Sequence, residues 1–167
     1  MRHSFCPECG NPLSARALGD EGLVPWCEHC QRPWFDSFST CIIAAVMNAR
    51  GEMLLQRETR RPEREVLVAG YIKLGESAED AAIREIAEET GLRTVSLHYV
   101  ASYPHMDGSM LMLGYAAVAE GENHPDSSEV LSARWVSPDE AVAALRQGSI
   151  GQQLAAAILH KNIFTPQ

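Results

Sequence analysis

The sequence predicts an α/β (α+β) protein with a small four-cysteine zinc ribbon at its N-terminus. Three observations lead there. Two C-x2-C pairs, Cys6/Cys9 and Cys27/Cys30, lie within the first 36 residues. Beyond them, apolar runs of strand length alternate with stretches of helical composition. Finally, 167 residues with 46% apolar content suffice for one medium domain and an appendage, with a proper core.

Residues 1–36 are expected to form the ribbon and residues 37–167 the main domain. Two C-x2-C knuckles separated by 17 residues have the spacing of a tetrahedral thiolate site, so Cys6, Cys9, Cys27 and Cys30 are the expected Zn²⁺ ligands. The segment is too short to build a core, so a bound ion must supply much of its folding free energy. Cys41, inside the apolar run Cys41–Val46, reads as a buried strand residue.

In the second segment, residues 40–47 read as a buried strand. Arg50-Gly51 marks a hairpin turn into Glu52–Arg57, and Val66–Ala69 is a short strand. Residues 58–65 between them are left as a loop. Residues 78–90 read as a helix, with Ser77 at its N-cap, Asp80 in the first turn and Gly91 as the stop. At 100° per residue, Ala82, Ile83, Ile86, Ala87 and Thr90 form its apolar stripe, with Glu85, Glu88 and Glu89 opposite. Strands follow at Thr94–Ser102, Leu111–Ala119 and Ala133–Val136. Ser137-Pro138-Asp139-Glu140 is a capping box that opens a helix to about Arg146, and Ile150–Lys161 is the last helix.

The glutamate helix suggests chemistry. Glu85 and Glu89 are four residues apart, so their carboxylates are neighbours, and like charges at that spacing destabilise a helix by about 0.2–0.5 kcal/mol. A hard divalent cation reverses the sign of that interaction. Mg²⁺ or Mn²⁺ bridges carboxylates to substrate phosphates, polarises a phosphoryl oxygen and activates an attacking water. The bland alternative is a solvated acidic face with Arg84 paired to Asp80 and Glu88.

The spacing decides between these readings. Residues Gly70 to Leu92 fill every fixed position of the pattern G-x5-E-x7-R-E-U-x-E-E-x-G-U, where U is apolar, with Gly70, Glu76, Arg84, Glu85, Ile86, Glu88, Glu89, Gly91 and Leu92. This resembles the Nudix hydrolases, which cleave a nucleoside diphosphate linked to another group, and the resemblance implies the Nudix fold, a mixed sheet sandwiched between helices. A ribbon followed by such a domain resembles the NADH pyrophosphatase branch. Ser102-Tyr-Pro-His-Met-Asp-Gly-Ser109 lies where that branch carries S-Q-P-W-x-F-P-x-S, with Tyr103 in place of Gln, His105 in place of Trp, and a spacing one residue shorter. Glu129–Trp135 and Gly148–Gly151 resemble its late acidic strand and the start of its final helix. The usual Gly-Gly opening is Ala69-Gly70 here, and Lys73 stands at a usually acidic place.

The resemblance implies roles by position. Glu85 and Glu89 become the principal Mg²⁺ or Mn²⁺ ligands, and Glu88 assists as ligand or base. Glu76 supports them through Arg84, and the backbone at Ala69 or Gly70 adds a carbonyl. Glu129 is a further metal ligand or the base for the attacking water. Arg57 is a candidate for phosphate, with a surface ion pair as the alternative, and Tyr103, His105 and Tyr115 are candidates for stacking on a base, with plain packing as the alternative for each. The implied function is metal-dependent cleavage of a dinucleotide such as NADH to two mononucleotides, with ADP-ribose or FAD as alternative substrates. A nucleotide-sensing module that does not cleave is the alternative of another class, although such modules usually lose the box carboxylates.

A net charge of −8 argues against a nucleic-acid partner, as does the lack of a basic, aromatic stripe. No apolar run approaches the length of a membrane span, and the first residues lack a signal-peptide core. The expectation is a soluble cytoplasmic protein acting on a small molecule, and, from the resemblance, a homodimer.

Overall fold

The computed structural model describes residues 4–124 and 128–161. Contacts divide the chain into two compact units that meet between Ser39 and Thr40.

The first unit is a three-stranded antiparallel sheet of β1 (Ser14–Ala17), β2 (Leu23–Cys27) and β3 (Arg32–Pro33), ordered β1-β2-β3. Each C-x2-C pair sits in a tight turn. Gly10 N–H bonds to the Cys6 carbonyl in the first knuckle, and Cys30 N–H donates to Cys27 Sγ at 3.3 Å in the second. The second knuckle ends at Gln31, held at φ 53°. The four sulfurs converge within 4.8 Å of one another, with Cys6–Cys30 at 3.9 Å and Cys9–Cys27 at 3.5 Å. Sulfurs about 2.3 Å from a tetrahedral zinc lie about 3.8 Å apart, so the donor set fits that ion. The Asn11 backbone N–H holds the Cys9 thiol down at about 6, while Cys9 beside it pushes Cys30 upward.

The second unit is built on a seven-stranded sheet. Its strands are β4 (Ser39–Met47), β5 (Met53–Glu58), β6 (Arg61–Val66), β7 (Val68–Tyr71), β8 (Arg93–Pro104), β9 (Met110–Glu120) and β10 (Val130–Val136). The order is β10-β5-β4-β9-β8, with β6 added to β5 and β7 to β4. Helices α1 (Ala78–Thr90), α2 (Pro138–Ala144) and α3 (Ile150–Lys161) complete it.

Strand β4 explains the layering. Alternate side chains of a strand point to opposite faces. Ile42, Ala44 and Val46 join a core with Ala81, Ala82 and Ile86 of α1, whereas Ile43, Ala45 and Met47 join one with Ala141 of α2 and Leu154, Ala155 and Ile158 of α3. The run is apolar throughout because both faces are covered.

Local chemistry sets the ends of α1. Ser77 Oγ accepts the Asp80 N–H, and Gly91, at φ 72°, returns its N–H to the Ala87 carbonyl. Ser137 caps α2 in the same way through Glu140 N–H.

Two expectations are corrected. Residues 58–65 are mostly strand β6, whose register pairs Gln56 with Val66 and Glu58 with Arg61, and Leu67 separates β6 from β7. A charged run containing Pro62 is acceptable on an edge strand, where few side chains are buried. The buried stripe of α1 is also rotated. Ile83 is 44% exposed and Ala87 is exposed, while Ala81 and Glu89 are buried.

The purified chain is expected to carry one equivalent of zinc, lost in Cys27→Ser. Limited proteolysis of that variant should cut within residues 4–36 while the second unit stays intact. A zinc-free wild-type ribbon as resistant as the loaded one contradicts this.

Candidate active site

The site begins with a close approach. Pairing of β7 to β4 sets Gly70 opposite Ile42 in the sheet. The Glu85 side chain from α1 lies directly over Gly70, where any Cβ would overlap its carboxylate. Only glycine leaves room for the acid there.

Arg84 gathers the neighbouring acids. Its Nε and Nη2 donate to the two oxygens of Glu76 at 2.7 and 2.9 Å. Nη1 donates to Glu85 at 2.6 Å and Glu88 at 2.9 Å, and Nη2 also reaches the Tyr71 carbonyl at 3.1 Å. Glu76 in turn accepts the Lys73 backbone N–H at 2.9 Å. These donors, Arg84 foremost, hold the Glu76 carboxyl down at about 2. The end of β7 and the loop that follows it are therefore tied to α1 by one guanidinium.

Glu89 is only 9% exposed, and its carboxylate accepts a hydrogen bond from buried Gln56 on β5. Burial first, then the charges of Glu85, Glu58 and Glu129, push its carboxyl up to about 7. A buried acid crowded by three others has the environment a divalent cation relieves.

Glu85, Glu88, Glu89 and Glu129 all line one cavity of about 740 Å³, together with Gly70, Lys73 and Arg84. The donor set of carboxylates, with Ala69 and Gly70 lining the same cavity, fits a hard oxygen-seeking ion. A second cavity of about 280 Å³ shares Ala69 and Met112 with the first. Its lining includes Ile43, Leu67 and Leu145, with Arg61, Arg64 and Arg146 among its charged residues.

The expected substrate residues fare unevenly. His105 lines the second cavity, its Nδ1 2.8 Å from Asp107 on the β8–β9 turn. Tyr103 lines neither cavity. It packs beside the α2–α3 core, with its ring 2.7 Å from where a Gly114 Cβ would stand. Tyr115 is corrected to a core residue. It is 2% exposed in the α1 core, with its hydroxyl donating to Glu79 at 2.9 Å and its ring edge-on to Tyr99. Arg57 is corrected to an ion pair with Glu65 at 3.7 Å, outside both cavities.

Sequence reasoning missed Gln56 and Glu58 on β5, and Met110 and Met112 at the cavity wall. The two methionines carried a signal in their period-two spacing. Gln56 carried one as a polar residue in an otherwise apolar strand interior, where burial demands a partner.

Comparison with known proteins agrees with this geometry. The family model described as NUDIX domain matches residues 38–156. The chain is 31% identical to the NAD-capped RNA hydrolase NudC of Klebsiella pneumoniae subsp. pneumoniae, over 91% of this chain and 58% of that protein. It is 32% identical to that of Photobacterium profundum, over 90% of this chain and 56% of that protein. The chain thus spans under two thirds of the length of these curated relatives. Among solved structures, a NUDIX hydrolase from Nitrosomonas europaea superposes with a TM-score of 0.75 at 20% identity, covering 98% of this chain and 95% of that one. The NUDIX domain of Shewanella oneidensis NrtR, complexed with ADP ribose, superposes with a TM-score of 0.66 at 16% identity, covering 77% of this chain and 90% of that one.

The raised Glu89 carboxyl has a consequence for stability. With its value moved from the ordinary 4.5 to about 7, the folded chain holds this proton more tightly than the unfolded chain. Its contribution to stability is therefore lost as pH rises from about 4.5 through 7. In unfolding titrations with zinc retained and Mg²⁺ and Mn²⁺ withheld, Glu89→Gln should gain on wild type across that window by up to about 3 kcal/mol. A difference flat in pH contradicts the burial.

Proposed function

The chain belongs to the Nudix family, and from that membership we propose that it is a divalent-metal-dependent pyrophosphohydrolase that cleaves the diphosphate of an NAD-type dinucleotide to two mononucleotides. One observation carries this reading: Glu85 sits in the Gly70 cradle, tied by Arg84 to the other box acids, at a cavity large enough for a diphosphate. Only an acid in that cradle requires the glycine, and a solvated acidic face requires none.

Glu85 and Glu89 would hold Mg²⁺ or Mn²⁺, with Glu88, Glu129 and the Gly70 carbonyl as candidate further oxygen donors. When bound, that ion supplies Lewis acidity for the phosphoryl oxygen and acidifies the attacking water. Arg84 keeps Glu76, Glu85 and Glu88 in one arrangement, so little reorganisation remains when substrate arrives. Water adds to one phosphorus, the bridging P–O bond breaks, and the other nucleoside monophosphate leaves with that oxygen. Glu88 or Glu129 accepts the proton of the attacking water, since both line the cavity.

The second cavity takes one nucleoside end. Its apolar floor suits a base, and His105, Arg61, Arg64 and Arg146 suit ribose and phosphate oxygens. The Tyr103 and Tyr115 rings take no part in stacking. Zn²⁺ in the four-cysteine site has a structural role.

NADH itself is the first candidate substrate, with ADP-ribose and FAD behind it. The relatives are NAD-capped RNA hydrolases by name, which favours a second reading, in which the dinucleotide is the 5′ end of an RNA. The net charge of −8 weighs against extended RNA contact, so we place the free dinucleotide first. A sensing role is disfavoured because the box carboxylates are complete. No described helix is long and apolar enough to cross a membrane. We propose a cytoplasmic setting and a homodimer on family resemblance.

With Mg²⁺ or Mn²⁺, purified protein should convert NADH to AMP and reduced nicotinamide mononucleotide, faster than ADP-ribose, FAD or nucleoside triphosphates. Glu85→Gln should lower kcat by about 100-fold or more while leaving zinc content and fold intact. Faster release of AMP from NAD-capped RNA than from NADH would move the substrate to the second reading. Binding without turnover of any member would overturn hydrolysis.

A further inference from the structure

We infer that Lys73 binds a non-bridging oxygen of the substrate diphosphate, making this lysine a counter-charge that the box acids alone do not supply. The inference rests on the diphosphate-cleaving reading above and names a contact within that site.

Among the described residues, Arg84 and Lys73 are the cations lining the acidic cavity. Arg84 is not available to substrate. Its five N–H donors go to Glu76 twice, Glu85, Glu88 and the Tyr71 carbonyl, and its side chain is 19% exposed. Lys73 is the reverse case. Its backbone is fixed, with its N–H on Glu76 Oε2 at 2.9 Å and its carbonyl accepting Glu76 N–H at 3.0 Å. Its ammonium is 3.9 Å from Glu88 Oε1, beyond hydrogen-bond range, and its side chain is 62% exposed. The stem is anchored while the charged head is loosely held at the cavity wall.

Charge balance favours the same role. Glu85, Glu88, Glu89 and Glu129 face Arg84 and Lys73 around the cavity. A diphosphate diester brings two further negative charges into this excess of acid. Each cation at the wall then reduces the positive charge that bound metal must provide. An ammonium on a flexible stem suits a phosphate oxygen as a point charge with three rotatable donors. An acid at this position would instead add to the negative charge around the cavity, which bound metal would then have to offset.

The test measures binding of α,β-methylene-ADP, which cannot be cleaved at the bridge, by calorimetry on zinc-loaded protein with and without Mg²⁺. Lys73→Ala should weaken binding about tenfold, on the scale of one charge-assisted hydrogen bond, and at least as much without Mg²⁺. Lys73→Arg should restore it to within about threefold. With NADH, Lys73→Ala should raise KM by about tenfold and change kcat by less than about threefold, since ground-state contact is what is lost. Lys73→Glu should bind Mn²⁺ more tightly, read by electron paramagnetic resonance, and the analogue more weakly. Analogue binding within twofold of wild type for Lys73→Ala in both conditions would overturn the assignment and leave the cleavage reading standing. A wild-type chain that neither binds the analogue nor cleaves any diphosphate overturns both.

Discussion

The second unit depends on one guanidinium. Arg84 uses every N–H donor it has, and its partners come from two segments of chain: Tyr71 at the end of β7 and Glu76 in the loop after it, Glu85 and Glu88 from its own helix. Without it, three carboxylates would repel one another at close range, and the loop would have no fixed place against α1. The bonds are charge-assisted and largely shielded, so they weigh more than surface pairs such as Arg64 with Glu63. The low Glu76 carboxyl value records the same tie.

Glu89 illustrates how the fold creates reactivity rather than stability. The helix rotates its apolar stripe toward Ala81, which carries Glu89 under the sheet to meet Gln56. Burial of an acid near three others is unfavourable for folding, and its raised carboxyl value measures that. Sites that bind a cation store the cost of crowding anions until the ion arrives. The Gly70 cradle is the geometric counterpart, because it removes a side chain so that Glu85 can sit against the strand.

Much of this was legible in the sequence, and the reasons are local. The ends of α1 follow from Ser77 and Gly91, and the thiolate cluster from the C-x2-C spacing, because caps and knuckles are settled within a few residues. Spacing also named the box residues that line the cavity. What failed depends on long-range packing. Ile83 and Ala87 fit an ideal wheel, but the tertiary fit of α1 turned them outward. Tyr115 looked like a stacking residue until the parity of β9 set it in the α1 core beside Tyr99. Strand β6 shows no apolar alternation at all and forms through backbone pairing to β5 at an edge. Arg57 is a phosphate candidate from its place after the second strand, and only the pairing of β6 with β5 brings Glu65 to it as an ion-pair partner.

On the proposed reading, the Glu85 carboxylate must occupy the space over Gly70 for the site to hold its ion. The most direct measurement is Mn²⁺ affinity of Gly70→Ala against wild type, by electron paramagnetic resonance, with zinc content and circular dichroism as controls on the fold. Because the atom displaced is the tip of a flexible side chain, the variant should fold normally and bind Mn²⁺ at least about tenfold more weakly. Wild-type Mn²⁺ affinity in a folded Gly70→Ala would contradict the account, since the ion would then be held without Glu85 in its cradle.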